Sequence, residues 1–346
     1  MNDQGEGEGA GANRWLVTGG CGFIGRNLVA WLLSAGVPPG AIRVLDNGAT
    51  CGADDLASAV GKVAEDGAWE GRSVALRRVD IRAREPLHAC LAGATRVVHL
   101  AGSPDIGPSV EDPFVDCELN VTGTLNVLEA ARRARVERFV LGSSMAPLGA
   151  AEPPVHEGTA PHPSSPYGAS KLGAEAYALA YANCFGLDTR VLRFANAYGP
   201  HGAHKDGIVP MFIRRALRGE PWEIHGDGTA TRDYVHVDDL SAAVHAAATR
   251  SGAGERRLLH IATGRETSVG ELAALLREAL RARGVADVPI VNRPPRTGDV
   301  GRNFTSIERA REVLDWAPET ELREGLARTV DWFLERDHAI AASSGS

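Results

Sequence analysis

The chain contains Ser165-Pro166-Tyr167-Gly168-Ala169-Ser170-Lys171, which sets a phenol and an ammonium four residues apart. The run that follows, with Leu172, Ala176, Leu179 and Ala180, has the apolar spacing of a helix. Positions i and i+4 of a helix lie one above the other on one face, so Tyr167 and Lys171 are expected side by side. A free tyrosine titrates near ~10. A fixed positive charge beside it favours the phenolate and lowers that value, which makes a base usable near neutrality.

Elements upstream must position that pair. Arg14 to Thr18 reads as a short apolar strand, followed at once by Gly19-Gly20-Cys21-Gly22-Phe23-Ile24-Gly25 and then by helical apolar spacing at Leu28, Val29, Trp31, Leu32 and Leu33. Strand, glycine turn and helix form a phosphate cradle. Gly19 permits the tight turn, Gly22 lets the backbone approach a pyrophosphate, and Gly25 allows close helix packing. The helix start at Phe23 and Ile24 then offers unpaired N–H groups to the anion.

A second strand, Ile42 to Leu45, ends in Asp46-Asn47, about twenty residues past the glycines. A carboxylate there accepts from both ribose hydroxyls and repels a 2′-phosphate, so Asp46 favours NAD over NADP. Val74 to Val79 is a third strand ending in Asp80-Ile81, where Asp80 is placed to accept from the adenine amine. Thr95 to Leu100 is a fourth, followed by the small residues Ala101 and Gly102, which let backbone run close to a cofactor. Asn120 opens a long helical pattern through Ala134, and a buried asparagine there is expected to brace a neighbouring strand. Phe139 to Leu141 is a fifth strand running into Gly142-Ser143-Ser144. Ligands of open parallel sheets bind at the carboxyl ends of strands, so Ser144 is expected to meet Tyr167. His99, on an apolar strand, reads as a satisfied core histidine.

As a set, the glycine turn, Asp46, Ser144 and Tyr167-x-x-x-Lys171 resemble the extended short-chain dehydrogenase/reductases, and within them the NAD-dependent sugar-nucleotide epimerase/dehydratase family, over roughly Trp15 to Trp332. The resemblance implies an α/β fold, with a Rossmann-type doubly wound parallel sheet and a smaller C-terminal α/β substrate lobe. It also implies that Tyr167 takes the proton of a sugar 4-hydroxyl, that Ser144 binds the same hydroxyl, and that Lys171 holds the nicotinamide ribose. The implied NAD contacts are Gly19, Gly22, Phe23, Ile24, Gly25, Asp46, Asn47, Asp80, Ile81, Leu100, Ala101, Gly102 and Asn120, with Tyr167 and Lys171. On the substrate side, Asn196 in Arg193-Phe194-Ala195-Asn196 matches a residue that donates to the nucleotide-sugar diphosphate, and Val209 begins a helix that covers the uracil. Arg232 and Arg296 match diphosphate-binding arginines, and Asp299 matches an aspartate near the uridine ribose. Paired guanidiniums suit a diphosphate because bidentate, charge-assisted bonds are strong and selective in geometry. His236 and Asp238 read as scaffold.

Related dehydratases carry Asp-Glu after the Ser144 position, and uronate decarboxylases a Glu two positions after it; here those positions are Met145 and Ala146. Without an acid for elimination or carboxyl loss, the resemblance implies 4-epimerisation of a UDP-sugar through a transient 4-keto intermediate, with a 4-ketoreductase or 4,6-dehydratase as the other readings within the family and a non-catalytic dinucleotide-binding protein as the reading outside it. Pro147-Leu148-Gly149 replaces the usual Val-Tyr-Gly and must alter the loop beside the substrate. His201, His204 and Lys205 lie in a loop able to approach the sugar C5 substituent.

Composition narrows the partners. The 346 residues are 44% hydrophobic and 23% charged, with net charge −7 and no basic block, so nucleic acid and anionic membrane are poor partners. The five cysteines are odd in number, scattered and without a Cys-x-x-Cys, which suits a reducing cytoplasm and argues against structural zinc. No apolar run approaches the ~20 residues of a membrane span. Residues 1–13 and 337–346 read as tails. Residues 14–185 read as the NAD-binding domain, and 186–336 mainly as the substrate lobe, with about 233–248 returning to the first. The helices Val115–Ala134 and Tyr167–Phe185 resemble those that pair across a two-fold axis, so a homodimer is expected.

Overall fold

The computed structural model describes residues 13–251, 254, 256–294 and 301–344. Its frame is a parallel sheet whose strands are β1 (Trp15–Thr18), β2 (Ile42–Asp46), β3 (Val63–Glu65), β4 (Val74–Arg78), β5 (Arg96–His99), β6 (Arg138–Ser144), β7 (Thr189–Phe194) and Leu258–Ile261. Across the sheet the order is Leu258–Ile261, β7, β6, β5, β1, β2, β4, β3. The central strands are apolar along their length because both faces are covered; every residue of β1 and of β7 is buried. Strand order reverses at β1, which pairs with β2 on one side and β5 on the other. The crevice outside their carboxyl ends is the expected ligand position in such a sheet.

The helices needed for the site are α1 (Phe23–Ser34), α2 (Ala53–Val60), α3 (Arg84–Leu91), α4 (Ile106–Glu111), α5 (Pro113–Cys117), α6 (Thr124–Arg133), α7 (Pro166–Phe185), α8 (Ile208–Leu217) and α9 (Val237–Thr249). One face of the sheet packs on α1 and α9 through Leu28, Val29, Leu32, Leu240, Ala243 and Val244. The other packs on α3, α6 and α7 through Leu87, Val127, Leu128, Ala174 and Ala178. A third core, with Phe212 stacked on Trp222 at 4.6 Å between ring centroids, joins α8 to the C-terminal helices.

Two sequence expectations change. The parallel sheet does not stop at Phe185: β7 and Leu258–Ile261 extend it, because the apolar run of β7 is buried against α7 and α9 and that of Leu258–Ile261 against the helix Glu308–Leu314. The helix expected to run unbroken from Val115 to Ala134 is interrupted by a π-turn over Glu118–Gly123, between α5 and α6. Such wide turns recur at functional sites, and this one presents Asn120 inward.

Candidate active site

Helix α7 begins where its sequence dictates. Ser165 caps it by accepting from Gly168 N at 3.1 Å, Pro166 fills the first turn, and Gly186 ends it in the left-handed conformation. Three of its residues at four-residue spacing then meet three consecutive residues at the end of β6. Tyr167 faces the Ser144 hydroxyl, which pulls its phenol down. Lys171 Nζ donates to Gly142 O at 3.2 Å, and Ser143 Oγ donates to Glu175 Oε1 at 2.6 Å. The end of β6 and the start of α7 thus bring Ser144, Tyr167 and Lys171 to one edge of the sheet.

The phenol does not titrate as predicted. Burial pushes Tyr167 up to about 12; the Ser144 hydrogen bond pulls it down, while the charges of Asp105 and Asp116 add to the rise. Lys171 is itself buried, and burial brings its ammonium down to about 8 against the opposing pull of Glu175 and Asp116. In the protein by itself, desolvation is the largest influence on both groups.

Around the glycine turn, Gly19 has φ +68°, and a Cβ there would lie 2.7 Å from Ala101 N. A Cβ on Gly25 would lie 2.2 Å from Gly19 O. The loops after β1 and β5 therefore abut, and the start of α1, at Gly22, Phe23 and Ile24, sits directly over the turn with no acidic residue in its first turn. Asp46 is drawn onto this loop: its Oδ2 accepts from Cys21 N at 3.0 Å and its Oδ1 from Gly48 N at 2.9 Å. Burial raises its carboxyl above the usual value, and those two amides oppose the rise. Asn47 Nδ2 donates to Asp80 Oδ2 at 3.3 Å, while Arg82 holds Asp80 well below the usual carboxylate range. Ile81 is buried, and Thr18 Oγ1 accepts from both Leu100 N and Ala101 N at 3.2 Å. Asn120 braces a helix and a loop rather than a strand, with Nδ2 reaching Ser170 Oγ and Asp116 Oδ1 at 3.0 Å and Ser103 O at 3.2 Å. Its Oδ1 is buried without a protein partner, hard against Gly102. Anion-facing backbone, a ribose-type acceptor and an orphaned carbonyl oxygen fit a dinucleotide.

His99 is a core residue, with Nδ1 2.7 Å from Thr18 Oγ1 and Nε2 3.0 Å from Thr124 Oγ1, and burial brings it down to about 3.

On the substrate side, Asn196 is exposed, with Nδ2 donating to Asp233 O at 3.2 Å. Val209 is buried in the first turn of α8. Arg232 lies in a two-residue strand, its Nη1 donating to Thr231 O at 2.8 Å. Arg296 and Asp299 lie outside the described residues. His236 caps α9 by accepting from Asp238 N. His201 packs on Trp332, and His204 Nδ1 lies 3.2 Å from Arg26 Nη2. Met145, Leu148 and Val155 form a small apolar cluster under the loop that departs from the family pattern.

Sequence reasoning missed two pairs beside this site. Lys205 Nζ lies 3.1 Å from both oxygens of Asp105. Glu175, clamped by Arg193, was open to detection because it continues the Tyr167, Lys171 spacing by four more residues. Among the described residues no cluster of metal-ligating side chains occurs, and no helix is long and apolar enough to cross a membrane.

A doubly wound parallel sheet with a glycine cradle at its switch point and Ser144, Tyr167 and Lys171 at its carboxyl edge defines a dinucleotide-dependent enzyme. Residues 15–262 match the NAD dependent epimerase/dehydratase family. A UDP-glucose 4-epimerase of Mycolicibacterium smegmatis is 37% identical over 332 residues, which span 92% of this chain and 98% of that one. A dTDP-glucose 4,6-dehydratase of Streptomyces antibioticus is 34% identical over 325 residues, spanning 92% and 91%. The solved structure of a UDP-glucose 4-epimerase of Thermotoga maritima with UDP-glucose matches with TM-score 0.82 at 33% identity, covering 93% of this chain and 99% of that one. The chain belongs to the NAD-dependent epimerase/dehydratase family of enzymes, and its cofactor is NAD.

Proposed function

We propose that this enzyme is a 4-epimerase of a UDP-sugar, of the glucose/galactose or glucuronate/galacturonate type. The observation that carries the reading is the assembled Ser144, Tyr167 and Lys171 beside a turn, Met145-Ala146, that contributes no acid. Met145 is buried in an apolar cluster, so the position used for water elimination in related dehydratases offers a thioether instead. NAD, when bound, takes up and returns a hydride. The chain's own groups do the rest. Tyr167 takes the proton of the sugar 4-hydroxyl and later gives it back, Ser144 holds that hydroxyl, and Lys171 holds the cofactor ribose. With nothing placed to expel water or carboxylate, the keto sugar turns and is reduced on its opposite face.

The glycine turn from Gly19 to Gly25 carries the pyrophosphate in this reading, with Asp46 on the adenosine ribose and Asp80 towards the adenine. Asn196, Val209, Arg232, Arg296 and Asp299 take the nucleotide and its diphosphate. The protein works in the cytoplasm as a homodimer, which would cover the exposed apolar side chains of Ile106, Val110, Phe114 and Tyr177 on α4, α5 and α7; Phe114 is 82% exposed. An NMR time course with UDP-glucose, UDP-N-acetylglucosamine and UDP-glucuronate tests the activity. Interconversion of one gluco/galacto pair is the expected result. A 4-keto-6-deoxy product would instead make the enzyme a dehydratase, and no change in any sugar would overturn the reading.

A further inference from the structure

The crevice at the carboxyl edge of the sheet is crossed by residues 199–205, which are fastened to helices on opposite faces of the sheet. On the first face, α1 holds the segment with two buried side chains. Arg26 donates from Nη2 to His201 O at 2.9 Å and lies 3.2 Å from His204 Nδ1, and Asn27 donates to Pro200 O at 3.0 Å. Gly202 lies over the start of α1, where a Cβ would come within 3.3 Å of the Phe23 ring. On the side of the second face, Lys205 Nζ lies 3.1 Å from both oxygens of Asp105, which immediately precedes α4. Helix α4 in turn receives the start of α7, with Tyr167 N donating to Ser109 Oγ at 3.1 Å. The segment therefore runs from the helix that follows β1 to the helix that follows β5, across the place where the glycine turn and Ala101 abut. We propose that residues 199–205 form a strap over the cofactor crevice and that Lys205 and Asp105 are its clasp, setting the rate at which NAD is released.

The fastenings differ in kind. Arg26 is 4% exposed, and its Nη1 donates to Asp55 Oδ1 at 3.1 Å, so the end on α1 is locked into the interior. Arg214 of α8 holds the backbone further along, donating from Nη1 to Ala203 O and, at 2.8 Å, to Lys205 O. These bonds to main-chain carbonyls fix the course of the strap. The clasp is made by side chains alone, 25% and 44% exposed. Asp105 makes no capping bond to α4, so the pair is not what starts that helix. An ion pair so exposed adds little stability, and it opens by rotation of one flexible lysine chain while the strap stays where it is. A fixed strap with one weak link confines what lies beneath it and frees it without a large rearrangement.

This inference rests on the reading of the turn from Gly19 to Gly25 as the NAD cradle, and it is independent of the sugar. Its test needs no turnover. Protein stripped of NAD is loaded with NADH, whose fluorescence reports release once excess NAD is added. Lys205→Met and Asp105→Asn are each expected to release NADH about two- to five-fold faster, the range that an exposed ion pair supplies. The charge swap, Asp105→Lys with Lys205→Asp, is expected to return the rate towards the wild-type value. Unchanged release in both single variants would overturn the proposal. So would acceleration by Lys205→Met alone with a swap that releases as fast, because the lysine would then act on the cofactor phosphates directly and not through Asp105. Faster release from Gly25→Ala with none from Lys205→Met would leave the cradle standing and overturn the clasp alone.

Discussion

Glu175 and Arg193 meet with both side chains 3% exposed, the guanidinium bonding both carboxylate oxygens. The pair joins helix α7 to strand β7 four residues beyond Lys171, and Ser143, between Gly142 and Ser144, bonds the same carboxylate. Breaking such a pair from one side leaves a buried charge and costs about 3–5 kcal/mol. The pair therefore ties the helix that carries Tyr167 and Lys171 to the sheet through one buried contact.

Replacing Tyr167 with Phe removes the only atom with which the side chain can exchange a proton, and leaves the apolar ring in place. Turnover is expected to fall by at least ~10² while NAD stays bound. Steady-state kinetics and the absorbance of the purified protein check both halves; near-normal turnover would remove Tyr167 from the chemistry.

Asp46 should make the protein select NAD over NADP, because its carboxylate already faces the glycine turn through Cys21 N and would repel a 2′-phosphate. Titrating both cofactors against protein stripped of NAD measures the preference. Equal affinities would contradict it, whereas a gain in NADP binding by Asp46→Asn would support it.

Gly25→Ala would push a Cβ to 2.2 Å from Gly19 O, a backbone atom with no free rotation to relieve the overlap. The turn must shift, so loss of retained NAD is expected, with a destabilisation of about 1–3 kcal/mol. Thermal unfolding with and without added NAD reads this. An alanine variant that keeps NAD at wild-type affinity would show that the turn yields more easily than its packing implies.

The pH dependence has a sign on each limb. Burial brings the Lys171 ammonium down to about 8, so its charge is lost and activity should fall as pH rises through that value. The charge of Asp105 raises the phenol of Tyr167, and the base must be deprotonated to act. Asp105→Asn removes that charge, a change that favours phenolate. The acidic limb of kcat against pH is expected to move to lower pH; movement upward would exclude this coupling.

Local spacing and turn chemistry were legible in the residues themselves. Tyr167 and Lys171 share a helix face because four residues make about one turn, and Gly19 to Gly25 announces a strand–turn–helix cradle because other side chains would collide there. Asp46, Ser144 and the satisfied His99 follow from their places at strand ends or on a strand. None of these inferences requires knowing what lies across the sheet. Packing decided the rest. Arg193 meets Glu175 from 18 positions away and Lys205 meets Asp105 from 100 away, distances over which no periodicity carries information. The strand Leu258–Ile261 joins the sheet beside β7 although α8, which belongs to another core, intervenes in the chain. The phenol rises where spacing predicts a fall, because desolvation is a property of the assembled interior and not of the neighbours along one helix.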